Sequence, residues 1–584
     1  MRRILLLASV ACAVVSTLTA WWLLAGAVAI FLAVEILAYR GRESLREVHA
    51  DQTSVSVVIS VATVIVVFRE GASPFAVWEV TLLLVVLHAA HFLRFVLRIL
   101  VVRRWRSAAR WENLDTPLTQ PRRILGDAGA TTVTVPVWLT APLFAAFHYL
   151  SSGYFWVGIA CVAWSIVTVI PIAVTILHNR RMPAESTRLE VMLDALRSRA
   201  PEILVHFNGA EASVYALEQW MRVLEQLDER HRVAILIVDR QRWHNDAILS
   251  TRLPIIFIQG AEAIERLVDE VPSLTIALYP RSTPPNKNLL RVPGLFDVFI
   301  NHGESDKSEP ANPAARAFDE IWAVGPAARD RYLAANIGVR EDQIRLVGRP
   351  QLSQLAAVTK RARALGQQRG CTVVYAPTWE GLFADDGHSS ILTMGEQLVS
   401  AFLARSEITL VYAPHPALGS EDERLAKASA RISAAIRRAG GAHRTITALD
   451  ERYGALADAD LLVTDISSDL VDFLALDRPY FVTAPNATGP ITDTVDEFVA
   501  SYPSARGGTV IGPLELGSVA QVVLDAVRAD PLRDERRAVA DHYLGDRSPS
   551  PIEHFLARVD ECVELVRVSP RPSVDNDSAD RPTA

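Results

Sequence analysis

Four stretches of this chain end an apolar run with residues able to hold a phosphate or move a proton. The first is Thr464-Asp465-Ile466-Ser467-Ser468, which follows Leu461–Val463 and precedes Val471, Phe473 and Leu474. It reads as a buried strand, a tight polar turn and the start of a helix. Hydroxyls at a helix N-terminus stand beside unpaired backbone N–H groups and partial positive charge, a combination that suits a phosphate. The same residues also fit an ordinary serine cap. The second stretch, Asn301-His302-Gly303-Glu304-Ser305-Asp306-Lys307, follows Val298–Ile300. The third, Pro377-Thr378-Trp379-Glu380-Gly381, follows Thr372–Ala376, and the fourth, Pro414-His415-Pro416, follows Thr409–Ala413. Imidazole titrates near neutrality, so His302 and His415 are candidates for proton transfer. A histidine beside Gly or Pro is often only a turn residue, but four polar strand ends in succession are harder to dismiss. Lys307 is one of only four lysines in the chain.

The elements that must carry these turns alternate from Glu202 onward. Ile203–Phe207, Val233–Val238, Ile255–Ile258, Thr275–Leu278 and Val298–Ile300 are predicted parallel strands, with amphipathic helices such as Ala212–Leu227 between them. After Gly348-Arg349-Pro350 a second series begins: Thr372–Ala376, Thr409–Ala413, Leu461–Thr464 and Tyr480–Val482. Two tandem series imply two doubly wound α/β domains with a cleft between them, and ligands in such sheets bind beyond the C-terminal ends of the strands. The expected division is 183–355 and 356–568, followed by a polar, disordered tail at 569–584.

Residues 1–182 differ in kind. They hold 16 arginines, no lysine and 9 acidic residues, a balance of +7, whereas the whole chain is at −7, which leaves −14 for the remainder. A part that acidic excludes nucleic acid as a partner, since binding it requires a basic face. Ile4–Ala38 is almost wholly apolar and about 50 Å long as a helix, too long for one span of a roughly 30 Å hydrocarbon core. It is read as a hairpin. With Ser54–Phe68, Phe75–Phe95, Thr131–Tyr149 and Tyr154–Leu177, it makes a transmembrane bundle of about six helices. Arginines gather before the first span, after the second, between the fourth and fifth and after the sixth, while the opposite loops carry only Arg69. The positive-inside rule puts both termini and the catalytic domains in the cytoplasm of a multi-pass plasma-membrane protein. His88, His91, Arg94 and Arg98 form a polar stripe on the fourth span, which fits snorkelling to headgroups or a seat for an anionic lipid acceptor. The four cysteines, Cys12, Cys161, Cys371 and Cys562, form no metal or disulfide pattern.

Taken together, His302-Gly303 with Lys307, Tyr375 to Trp379, His415-Pro416, and Thr464 to Ser468 with Asp472 resemble the motifs of the CDP-glycerol glycerophosphotransferase family, the teichoic-acid primases and polymerases. Order and spacing together carry the resemblance, over roughly Val298 to Val482. Glu380 stands where an arginine often follows the Trp in that family, and Gly348-Arg349-Pro350-Gln351-Leu352 resembles its Gly-x-Pro-Arg turn with the arginine moved ahead of the proline. The resemblance implies a glycosyltransferase-B-like fold of two Rossmann-like domains. It also implies transfer of glycerol phosphate, or a related polyol phosphate, from a CDP-linked donor to a hydroxyl of a lipid-linked or membrane acceptor. In that reading His302 takes the hydroxyl proton and His415 donates to the pyrophosphate or leaving group. Thr464, Ser467 and Ser468 hold phosphate oxygens, with Lys307 and Arg349 as charge partners. Gly303, in the acceptor-side N-terminal domain, and Thr378, in the donor-binding C-terminal domain, are further substrate-binding residues, and Asp465 orients a histidine or binds a hydroxyl. No Asp-x-Asp motif stands at a strand end, so neither a metal nor another cofactor is expected. Two other readings use the same features: a nucleotide-sugar glycosyltransferase of this fold, and a non-catalytic membrane scaffold that keeps it.

Overall fold

The computed structural model describes residues 109–116, 185–208, 213–238, 250–258, 260–283, 286–307, 312–355, 370–381 and 388–568. The expected membrane spans, the stripe of His88, His91, Arg94 and Arg98, and the tail from 569 lie outside the described residues. Among the described residues no helix is long and apolar enough to cross a membrane. The chain divides into one unit of residues 1–108 and 119–187 and a second of 109–118 and 188–584. Everything below concerns the second.

Its first sheet has eight strands: β1 (Arg110–Glu112), β2 (Ile203–Phe207), β3 (Val233–Ile237), β4 (Ile255–Phe257), β5 (Ile276–Tyr279), β6 (Phe296–Phe299), β7 (Glu320–Ala323) and β8 (Ile344–Leu346). Their order is β1-β4-β3-β2-β5-β6-β7-β8. All neighbours run parallel except β1, which pairs antiparallel with β4 through Trp111 opposite Ile256. Strands such as β2 and β3 are buried along their whole length, as expected where helices cover both faces of a parallel sheet. The second sheet has six parallel strands: β9 (Cys371–Ala376), β10 (Ile408–Tyr412), β11 (Arg444–Thr445), β12 (Leu461–Thr464), β13 (Tyr480–Thr483) and β14 (Thr509–Ile511), in the order β11-β10-β9-β12-β13-β14. In both sheets the winding reverses once, between β2 and β5 and between β9 and β12. Crevices for ligands open at such reversals.

Two departures from the sequence reading shape the molecule. The stretch expected as one helix over Ala212–Leu227 is two, Tyr215–Glu218 and Met221–Leu227, broken at Gln219 and Trp220. The indole N–H of Trp220 donates to the Asn301 carbonyl at 2.6 Å, which holds this break against the end of β6. Second, the helix Pro551–Val568 follows the second sheet in sequence but packs its Phe555, Leu556, Val559, Cys562 and Val563 into the core under the first. The first domain is thus completed by a helix that follows the second sheet in sequence.

Candidate active site

A cleft with an empty volume of about 740 Å³ opens where the two domains meet. His302, Gly303 and Lys307 line it from the first domain, and Thr378, His415, Ser467 and Ser468 from the second. Seven of the ten residues singled out in the sequence are therefore brought together.

The turn after β6 is built by Asn301. Its backbone is left-handed, φ 51°, a conformation asparagine tolerates because its short side chain can bond locally. The side-chain amide donates to the Gly303 carbonyl at 2.7 Å, and its oxygen accepts the His302 N–H at 2.8 Å. Gly303 is needed for closeness: a Cβ there would lie 3.0 Å from Cβ and 3.2 Å from Oγ of Ser468. The His302 ring places Nδ1 3.1 Å from the Pro280 carbonyl. A carbonyl only accepts, so Nδ1 carries the hydrogen and Nε2 holds a lone pair. The ring is half-buried in the cleft wall and the cations Arg281 and Arg349 stand nearby; loss of solvent first, then these charges, lower its pKa to about 3.

The turn after β10 gives the opposite tautomer. The Ala417 N–H donates to Nδ1 of His415 at 3.1 Å, so Nε2 carries the hydrogen of this imidazole. Burial first, then the charges of Arg452 and Lys307, hold its pKa well below the usual value. Trp379 stacks on the ring, with centroids 6.0 Å apart and planes at 18°. Glu380, where the family often has arginine, accepts the N–H groups of Gly419, Glu421 and Asp422 at 2.8 to 3.0 Å and so fastens the loop that follows His415.

Ser467 occupies the N-cap position of the helix Ser468–Phe473 in extended backbone, yet its side chain makes no capping bond. Its Oγ lies 3.0 Å from Thr464 Oγ1 at the edge of the cleft. Lys307 donates across the domains to Thr378 Oγ1 at 2.9 Å.

Three residues expected to touch substrate do not line this cleft. Thr464 is fully buried and donates to the Ala376 carbonyl at 2.7 Å, which ties β12 to the end of β9. Asp465, also fully buried, accepts the N–H of Thr378 at 2.7 Å, that of Ser390 at 3.2 Å and the Thr483 hydroxyl. Burial raises its pKa and these donors oppose the rise; it is a bracket for the Thr378 loop, and neither histidine is among its partners. Arg349, 3% exposed, is committed to Asp472 at 2.7 and 3.0 Å, the His302 carbonyl at 3.1 Å and Gln219 Oε1 at 3.3 Å. It ties the two domains together.

Tyr215 and Arg281 line the cleft without having been singled out. Tyr215 packs edge-on against both histidines, with ring centroids 5.5 Å from His302 and 4.8 Å from His415. Both residues follow the strands that flank the first sheet's reversal, β2 and β5, and that position was the available signal. Among the described residues no cluster of three His, Cys, Asp or Glu side chains could hold a metal ion.

Compared with known proteins, residues 316–505 match the family described as CDP-glycerol:poly(glycerophosphate) glycerophosphotransferase. The matched stretch is that of a glycerophosphotransferase enzyme and contains Thr378, His415, Ser467 and Ser468. No curated protein matches the chain. Among solved structures, the wall teichoic acid polymerase TagF, in a histidine variant soaked with CDPG, is 14% identical, with 65% of this chain and 94% of that chain covered and a TM-score of 0.42. A UDP-N-acetylglucosamine 2-epimerase is 11% identical, covering 66% and 99%, with a TM-score of 0.40. A glycosyltransferase from Rickettsia africae ESF-5 is 12% identical, covering 63% and 99%, with a TM-score of 0.37.

Proposed function

We propose, with the glycerophosphotransferase match of residues 316–505 as premise, that this chain transfers glycerol phosphate from CDP-glycerol to a hydroxyl of a membrane-associated acceptor in teichoic-acid-like polymer synthesis. The observation that carries the reading is the pair of cleft histidines, one from each domain, in opposite tautomers. An acceptor hydroxyl attacks the phosphorus that bears the glycerol. The bond from that phosphorus to the bridging oxygen breaks, and CMP leaves with the bond's electrons. Nε2 of His302, a lone pair, receives the hydroxyl proton. Nε2–H of His415 donates to an oxygen of the diphosphate and needs no proton of its own beyond the one it holds at neutral pH. Ser467, Ser468 and the Lys307–Thr378 pair supply further donors toward the charge that spreads over phosphate oxygens in such a transfer. The arginine asymmetry of residues 1–182 supports a multi-pass membrane protein whose catalytic domains face the cytoplasm.

The test is release of CMP from labelled CDP-glycerol by membranes carrying the full chain, with incorporation of label into a lipid-extractable or polymeric product. CDP-glycerol turnover, inhibited by CMP and not by UDP or GDP, is the expected result. Consumption of a UDP- or GDP-sugar in its place would overturn the assignment.

A further inference from the structure

Two buried arginines do parallel work on the two sides of the cleft, and both are fastened to one short helix. Arg349 donates from Nη1 to the carbonyl of His302 at 3.1 Å, and from Nε and Nη2 to Asp472 at 2.7 and 3.0 Å. Arg452 donates from Nη1 to the carbonyl of Pro414, the residue before His415, at 2.9 Å. Its Nε reaches Asp469 at 2.7 Å, and its Nη2 bonds the second oxygen of that carboxylate. Asp469 and Asp472 are three residues apart on the helix Ser468–Phe473, hence neighbours on its surface. The same helix begins at the two serines of the cleft.

All four charged residues are more than nine-tenths buried. Removing a buried ion pair in favour of apolar residues is often neutral or stabilising, so such pairs are weak evidence of a purely stabilising role; fixing geometry is their better-attested use. The two-pronged Arg–carboxylate contact holds orientation as well as distance. Each guanidinium also acts on its own histidine: Arg349 is among the cations that keep His302 neutral, and Arg452 is the largest charge acting on His415.

We infer that the helix Ser468–Phe473 is a shared gauge for the reaction: Arg349–Asp472 sets the His302 turn and Arg452–Asp469 sets the His415 turn, so that both imidazoles are registered to each other and to Ser467 and Ser468. The inference rests on the transfer reading above for its chemistry, and the four residues are positioning residues. Among the described residues this helix touches both histidine turns through charged arms, although those turns lie in different domains. Donor phosphates seated at its first residues would therefore be in register with base and donor alike.

The experiment uses the full chain and two double variants, Arg349→Met with Asp472→Leu and Arg452→Met with Asp469→Leu, each replacing a pair by apolar residues so that no charge is left unpaired. Modification of His302 and His415 by diethyl pyrocarbonate is followed across pH by peptide mass spectrometry, a readout that needs no substrate. The expected result is crossed. Loss of the Arg349 pair loosens the His302 turn and changes the rate at which His302 is modified, and leaves His415 as in wild type; loss of the Arg452 pair does the converse. With CDP-glycerol, kcat falls about 10- to 100-fold in both while KM for the donor stays within about threefold, the pattern of lost orientation. Modification that changes at both histidines together, or at neither, in folded protein overturns the gauge. If an apolar pair fails to fold, Arg349→Lys and Arg452→Lys keep the charge and lose the fork. Unequal labelling, altered only at the matching histidine, then supports the inference, and labelling equal to wild type overturns it. Crossed shifts in a protein that releases no CMP would leave the gauge standing and remove the transfer reading, so the two fail separately.

Discussion

His302 and His415 are the same residue type held in different protonation geometry, and substitutions should separate them. Alanine at either position is expected to lower kcat by at least about 100-fold, the usual scale for an acid–base or charge-stabilising group. Glutamine distinguishes them. Its amide can donate as Nε2–H does but cannot take up a proton, so His415→Gln should retain about 10-fold more activity than His415→Ala, whereas His302→Gln should be no better than His302→Ala; equal behaviour would remove the tautomer distinction. The pH profile follows from the same site. On the proposed mechanism the active form of His302 is neutral, and its pKa in the free protein is lowered to about 3. The acid limb of kcat/KM should therefore lie well below the ordinary histidine value of about 6.5. A bound diphosphate offsets the Arg281 charge and raises the pKa, so the limb of kcat should lie at higher pH than that of kcat/KM. A limb of kcat/KM near the ordinary value would contradict the burial described. Cleft residues such as Ser467 and Lys307 were legible because each stands just past a strand end. Thr464, Asp465 and Arg349 stand off the cleft; residue type does not say whether a polar side chain faces the cleft or the inside of its own turn. Tyr215 was missed because an aromatic in a helical pattern reads as core.

Among the elements, the helix Pro551–Val568 is the one whose place no local pattern could reveal. Phe555 is fully buried between Trp220 and Trp322, with ring centroids at 5.3 Å from each. Phe555→Ala should cost about 3–5 kcal/mol, the range for emptying an aromatic site in a core. The first domain should lose that stability, which tryptophan fluorescence during denaturation would report; an unchanged midpoint would contradict the packing. Because Trp220 also holds the Asn301 carbonyl, turnover should fall as well. This helix explains β7 too. Glu320 opens that strand in full burial, an unpromising start from sequence, and is answered by Arg558, 238 positions later, and by the indole N–H of Trp322 at 2.9 Å. Long apolar runs such as β2 and β3 were legible. β1, β8, β11 and β14 have two or three residues each, below the length at which alternation or a run can be recognised.

At the scale of the molecule, the strand nobody would pick from the sequence is β1. Its backbone is locked on one side by β4 and on the other by Arg188, which donates to the Ala109 carbonyl at 2.8 and 3.2 Å with its guanidinium 5.4 Å from the Trp111 ring. Asn113, left-handed at φ 57°, follows and donates to the Leu253 carbonyl at 3.0 Å. The chain thus joins the catalytic unit at 109–118, departs, and rejoins it at 188. A polypeptide that starts and ends on one side of a barrier has crossed it an even number of times. Any bilayer crossings between Leu118 and Arg188 must therefore come in pairs, the number expected from the two apolar stretches Thr131–Tyr149 and Tyr154–Leu177. In a background with the native cysteines replaced by serine, Asp115→Cys and Ser186→Cys should react with a membrane-impermeant thiol reagent from the same face, and Ser152→Cys from the other. Opposite faces for 115 and 186 would sink the pairing. The rule also forecasts how the protein answers insertion: one extra apolar span placed between residues 118 and 188 should pull β1 from its sheet and expose Trp111, whereas two should leave it seated.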